Sequence, residues 1–258
     1  GNVSAGTSSF SMIVVEKELS KPYEMIDMVT TPDGSLVAMV HCNNCTSDLN
    51  AWVGIFREFQ EMMGMPVDMN ELYGKLYNHA LSGDADCGGL LSYNYFSGEP
   101  VTGLSEGRPL FVRSVTDRFN LANFMRSHLF GAVSVLKIGN DILFNDEKIK
   151  VDRITGHGGL FKTKGVGQRV LAAALNSPIS VMETAGEGGA WGMALLAGYL
   201  VNNADDRTLS DYLDTVVFGG NVGNSISPTA EEVEGFNRYI KSYIACLPVE
   251  QSAVDCKK

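Results

Sequence analysis

The chain lacks any apolar run of the roughly 20 residues that a membrane-spanning helix needs. The longest candidate, Met193 to Val201, is far too short, which excludes a helical span and leaves no membrane partner. Basic charge is scarce as well. Twenty Lys and Arg stand against 30 Asp and Glu, a formal net charge of −10. No basic stripe is there to release counterions, so nucleic acid is excluded as a partner. Cysteine is sparse and odd in number: Cys42, Cys45, Cys87, Cys246 and Cys256. That excludes a disulfide framework and suits reduced thiols, so a cytoplasmic location is expected. Cys42-Asn43-Asn44-Cys45 is a CxxC without a second CxxC. It reads as a redox pair, as half a zinc site, or as ordinary strand-end thiols, and the last is preferred. Four scattered histidines make no cluster, and no Ser/His/Asp arrangement is visible. A signal peptide, tandem repeats and low-complexity segments are also missing. The text opens at Gly1 rather than Met, which reads as a piece of a longer chain.

What is present is a dense α/β pattern in 258 residues, with 28 glycines mostly near turn signals. Ser11–Glu18, Met25–Thr30 and Leu36–His41 read as strands, the last two joined by the turn signal Thr31-Pro32-Asp33-Gly34. Thr46–Met63 and Met69–Ala80 read as helices, Leu90–Phe96 as a strand and Ser97–Pro109 as a loop. Asn120–Asn145 reads as a long helix, Lys150–Thr155 as a strand, Val166–Leu175 as a helix and Ile179–Met182 as a strand. Glu187–Val201 is a small-residue helix. Pro228–Leu247 is a last amphipathic helix with Glu231, Glu232 and Glu234 near its start, and the tail after Pro248 is expected to be loose. No boundary signal divides this order, so one domain over residues 1–258 is expected: a mixed sheet flanked by helices.

The functional signal lies between Ile154 and Ala194. An apolar strand end runs into Gly156-His157-Gly158-Gly159, and a second strand, Ile179–Met182, runs into Gly186-Glu187-Gly188-Gly189. Gly-rich turns between a strand and a helix bring bare amides up to an anion. Two in ~40 residues point to a nucleotide site.

With Val3-Ser4-Ala5-Gly6-Thr7-Ser8-Ser9 ahead of the first strand, these segments resemble, in order, the carboxy-terminal domain of the FGGY family of carbohydrate kinases. Phe96-Ser97-Gly98-Glu99-Pro100 is similar to the family's loop before its middle helices, and Phe119–Leu143 and Pro228–Leu247 to its long connecting and closing helices. The resemblance implies a ribonuclease-H-like fold of the actin and heat-shock-chaperone ATPase superfamily. It implies ATP and Mg2+ as cofactors and phosphoryl transfer to a sugar hydroxyl, with a ketose such as xylulose as substrate. The sugar and the catalytic base would sit on an amino-terminal domain of the same kinase, so the piece alone should be inactive, with no catalytic residue of its own. A homodimer is left open. The chain departs from the family at Phe111-Val112-Arg113-Ser114, where a Gly-Leu-Thr turn is usual.

Under that resemblance Gly6, Thr7 and Ser8 would touch the β- and γ-phosphates. The plainer reading of those three is a Ser-rich terminus. Gly156, Gly158 and Gly159 would cradle the α-phosphate and ribose, or form a simple strand-to-helix turn. Lys162 and Lys164 lie where they would clamp nucleotide or merely solvate the surface. Glu187, Ala190 and Gly192 read as a close-packing and hinge device, with Glu187 also near enough in sequence to approach metal or nucleotide. Asp84 and Asp86 read as a solvated loop rather than a metal pair. The alternative from another class is a non-catalytic nucleotide-binding or scaffold domain on the actin-like fold.

Overall fold

The computed structural model describes residues 1–183, 186, 188–202, 206–220 and 223–256. A seven-stranded sheet carries the architecture. Its strands are β1 (Asn2–Ala5), β2 (Ser9–Val14), β3 (Asp27–Thr30), β4 (Leu36–Cys42), β7 (Ile154–His157), β8 (Ile179–Val181) and β9 (Asn224–Ile226). Their spatial order is β3-β4-β2-β1-β7-β8-β9, and β5 (Leu91–Tyr93) with β6 (Leu110–Val112) forms a separate pair. β1, β7 and β8 run parallel; β2, β4 and β9 pair antiparallel with their neighbours. The expected mixed sheet with helices on it is what forms.

The helices are α1 (Ser47–Met62), α2 (Met69–Ala80), α3 (Leu121–Asp141), α4 (Val166–Leu175), α5 (Gly188–Asn202), α6 (Leu209–Tyr212) and α7 (Ala230–Asp255). α3 is the axle, buried on nearly every side from Ala122 to Leu136. Two of its glycines let it approach its neighbours. A Cβ on Gly131 would stand 2.6 Å from the Ser92 carbonyl oxygen, and one on Gly139 would strike Val40. Ser11 donates to Asn140 Oδ1 at 2.9 Å, fixing β2 to α3. α7 closes the other side, where Phe236 and Tyr239 meet Phe130.

Three expectations change. The segment before the first expected strand is itself β1, so the Gly6-Thr7-Ser8 segment is a hairpin turn rather than a Ser-rich terminus. β6 and β9 occupy stretches left unassigned; at three residues each they are too short for a period-2 pattern to show. α7 does not stop at Pro248 but runs to Asp255. Thr229 and Glu232 form a capping box at its start. Past the proline, Glu250 is fully buried and accepts from the Arg108 amide at 2.7 Å. That anchor outweighs the amide hydrogen bond the proline removes.

Candidate functional site

β1, β7 and β8 are parallel neighbours, so their carboxyl ends lie side by side. In such sheets ligands take the crevice beyond those ends. The Gly6-Thr7-Ser8 turn leaves β1 there. Gly158 leaves β7 beside it, with φ +104° and ψ −175°, a backbone region open essentially to glycine alone. A Cβ on Gly158 would stand 2.6 Å from the Ala5 carbonyl oxygen. The second glycine turn therefore rests directly on the residue that begins the first.

The turn after β1 is gripped from one side. Thr46, at the start of α1, donates its amide (3.0 Å) and its hydroxyl (2.8 Å) to the Gly6 carbonyl. The Cys45 amide donates to the Thr7 carbonyl at 2.9 Å. Among the described residues, nothing accepts from the Thr7, Ser8 or Gly159 amides. Thr7 and Gly159 are exposed and Ser8 is half-buried. Free amides and hydroxyls on two abutting turns suit an anion.

The third motif reaches the same edge. A Cβ on Gly188, at the start of α5, would stand 2.6 Å from His157 Nδ1. Partial burial holds the His157 imidazole below its usual pKa, so it is neutral near pH 7. Exposed Lys162 extends toward the segment after β8, its Cε 3.8 Å from the position of a Cβ on Gly186. Lys164 is exposed nearby.

Other expected site residues are placed differently. Gly156 lies inside β7, buried, where a Cβ would stand 2.5 Å from the Phe161 ring. Its lack of a side chain makes room for that ring. Glu187 lies outside the described residues. Ala190 is exposed and Gly192 has nothing within 4 Å of an added Cβ. The small-residue helix forms, yet no described residue of α5 is buried.

The CxxC is not a redox or zinc site. Cys42 and Cys45 are free and buried, and burial pushes both thiols up, Cys45 to about 12. A neutral thiol is a poor nucleophile, and among the described residues no third ligand gathers with the pair. Asp84 pairs with Arg118 and accepts from Asn123 Nδ2 at 2.8 Å. Asp86 accepts from the Gly88 amide and Arg238 Nε. Both acids hold a loop. Among the described residues, no three His, Cys, Asp or Glu side chains gather to hold a metal ion.

A buried Ser/His/Asp group does exist, contrary to the sequence reading. Ser92 Oγ is 2.7 Å from His128 Nδ1, and Asp48 Oδ2 is 3.5 Å from the same nitrogen. A relay needs one partner on each ring nitrogen. Here Nε2 is buried without a partner, and all three residues are covered. The group is a core polar knot, completed by Trp52 Nε1 donating to Asp48. A cavity of about 360 Å³, lined by Lys137, Asp141, Phe144, Ser177 and Asn237 among others, precedes β8, at the opposite end from the glycine turns.

Residues that the sequence did not single out support the turn after β1. Asn44, inside the CxxC, donates its amide and Nδ2 to Glu99 Oε2 at 3.3 and 3.1 Å, and its Oδ1 accepts from the Phe96 amide at 2.9 Å. Glu99 is fully buried, and loss of water raises its carboxyl to about 6 against the Asn44 hydrogen bonds. The folded chain therefore keeps this proton at pH values where the unfolded chain has released it. Stability from this group is full below about pH 4.5 and is lost as pH rises through 6. Glu99→Gln should gain on the wild type by on the order of 1–2 kcal/mol between pH 4.5 and pH 7.5. Urea midpoints of both chains at the two pH values check this.

The sequence over residues 1–201 matches the FGGY family of carbohydrate kinases, C-terminal domain. No curated relative matches it. Among solved structures, a ligand-bound xylulose kinase from Lactobacillus acidophilus superposes with TM-score 0.71 at 16% identity, covering 97% of this chain and 48% of that one. A gluconate kinase from the same organism gives 0.70 at 16% identity, over 96% and 46%. Plasmodium falciparum glycerol kinase with ADP gives 0.64 at 16% identity, over 96% and 46%. At such identity these likenesses show the fold, and the chain spans about half the length of these proteins. With most of its length matched by the family, and its sheet folded as in these kinases, the chain belongs to the FGGY family of carbohydrate kinases, as their C-terminal domain.

Proposed function

We propose that this chain is the nucleotide-holding half of an ATP-dependent sugar kinase. It would act with an amino-terminal domain of the same kinase that holds the sugar, a ketose such as xylulose. The observation that carries this reading is the abutment of two turns with free amides, Gly6-Thr7-Ser8 and Gly158-Gly159, at the carboxyl ends of β1 and β7.

The residues present suit a polyphosphate. Thr7 and Ser8 offer amides and hydroxyls to its terminal oxygens, Gly159 offers an amide, and Lys162 offers a mobile positive charge. Neutral His157 adds no charge and serves to seat α5. Phosphoryl transfer is largely positioning and charge stabilisation, and these groups supply both on one side of the phosphates. ATP supplies the γ-phosphoryl group. Magnesium would neutralise part of the phosphate charge. The acceptor and its base belong to the other domain, whose closure would exclude water.

Calorimetric titration of the folded chain with Mg·ATP tests the reading. Saturable one-to-one binding that Gly158→Asp abolishes is expected. The chain by itself should form no sugar phosphate in a coupled assay with xylulose, and detectable turnover contradicts the division of labour. A second reading, a non-catalytic scaffold, draws on the exposed apolar residues of α5, Trp191, Met193, Leu200 and Val201. It also draws on the Phe111–Ser114 segment, which is spent on β6 and on packing against Phe119 and Phe124. Absence of Mg·ATP binding by a folded chain favours it.

A further inference from the structure

The Gly6-Thr7-Ser8 turn has two sides, and only one is free. The Gly6 carbonyl accepts twice from Thr46, through the amide and Oγ1, and the Thr7 carbonyl accepts once from the Cys45 amide. Every peptide bond in the described chain is trans. In a trans peptide the carbonyl of one residue and the N–H of the next point in opposite directions. Pinning the Gly6 carbonyl therefore aims the Thr7 amide away from α1, and pinning the Thr7 carbonyl does the same for the Ser8 amide.

The pinning residues are themselves braced. Asn94 Nδ2 donates to the Cys45 carbonyl at 2.8 Å. Asn44 is held by five groups: the Glu99 carboxylate, the Ser97 carbonyl, the Phe96 and Ser97 amides and the Ser97 hydroxyl. Asn43 Nδ2 donates to the Gly98 carbonyl at 2.7 Å. Hydrogen bonds thus run unbroken from the buried Glu99 loop through residues 43–46 to the two carbonyls of the turn.

We infer that Thr46, backed by Asn44 and Glu99, is a positioning residue that presets the Thr7 and Ser8 amides for a phosphate group. The inference rests on the nucleotide reading above. It assigns the Asn-Asn-Cys-Thr segment after β4 a task that its CxxC spacing hides. A preset pair of amides binds an anion without first having to reorganise, whereas a turn free to rotate its peptides loses part of its affinity to ordering. Thr46 does not touch the phosphate, so it changes affinity only through the turn.

Mg·ATP titration of the 258-residue chain and of Thr46→Val and Thr46→Ser decides the matter. Valine keeps the shape and both backbone amides but removes the hydroxyl. About a tenfold weaker Kd for Thr46→Val is expected, with near wild-type affinity for Thr46→Ser, read at a temperature where both ligand-free variants are fully folded. Equal affinity of Thr46→Val and wild type overturns the inference and leaves the nucleotide reading intact. No binding by the folded wild type overturns both. Should Thr46→Val fail to fold, amide exchange in the wild type decides. Slow exchange at Cys45 and Thr46, with Thr7 and Ser8 amide signals moved by Mg·ADP, supports the brace. Fast exchange at Cys45 and Thr46 overturns it.

Discussion

Gly158→Ala should destabilise the chain by about 2–4 kcal/mol and remove measurable Mg·ATP binding. Two independent costs meet at this position. The backbone there has φ +104° and ψ −175°, where a Cβ is strained whatever the space around it. The space is also taken, since the added carbon would stand 2.6 Å from the Ala5 carbonyl oxygen and 3.0 Å from its carbon. Relief requires β7 to move away from β1 at their carboxyl ends. That movement separates the two turns that are to share the phosphates. Gly159→Ala, one residue on, meets nothing within 4 Å and should leave stability nearly unchanged. Urea unfolding and calorimetry of the two variants check the contrast. A stable Gly158→Ala chain with undiminished binding would show that the abutment of the turns is incidental.

Phe130→Ala should cost about 3–5 kcal/mol. Phe130 is 1% exposed at the middle of α3. Its ring lies 4.6 Å from Phe236 and 5.2 Å, edge-on, from Tyr239, and the Arg126 guanidinium stands 5.1 Å from its centre. Removing the ring opens a gap between α3 and α7, next to the contacts that Tyr239 and Tyr243 make with Ser127, Tyr93 and Tyr95. Hydrogen exchange should show α7 losing protection before the sheet does. Val115→Ala, at a fully exposed position, is the control and should change nothing measurable. A loss below about 1 kcal/mol for Phe130→Ala would mean that the core there collapses around the gap.

Long periodic elements were legible in the sequence. α2 and α4 lie where their apolar patterns placed them, and α1 and α3 differ only at their ends. β6 and β9 were not, because pairing with a neighbour rather than a local pattern creates them. Pro248 misled for a related reason. A local rule ends helices at proline, and the buried Glu250 anchor outweighs it. At the site, the glycine turns marked the right edge of the sheet, but glycine does several jobs. Gly158 allows one backbone to lie on another, Gly156 allows a phenylalanine to fold over its strand, and Gly188 allows a helix to meet an imidazole. Sequence shows the missing side chain and not what fills its place. Thr46 and Glu99 act on the turn through contacts 40 and 55 residues apart in the chain, at Gly6 and Asn44, and no spacing rule reaches that far.

The central claim is that the carboxyl edge of β1 and β7 holds nucleotide phosphates. Two-dimensional amide NMR of the isotope-labelled chain, titrated with Mg·ADP, tests it most directly. The predicted result is saturable shifts concentrated at Thr7, Ser8, Gly158, Gly159 and Lys162, with the Lys137–Asp141 cavity at the other end of the sheet unmoved. Shifts at that cavity with none at Thr7 and Ser8, or no shifts at all from a folded chain, would contradict it.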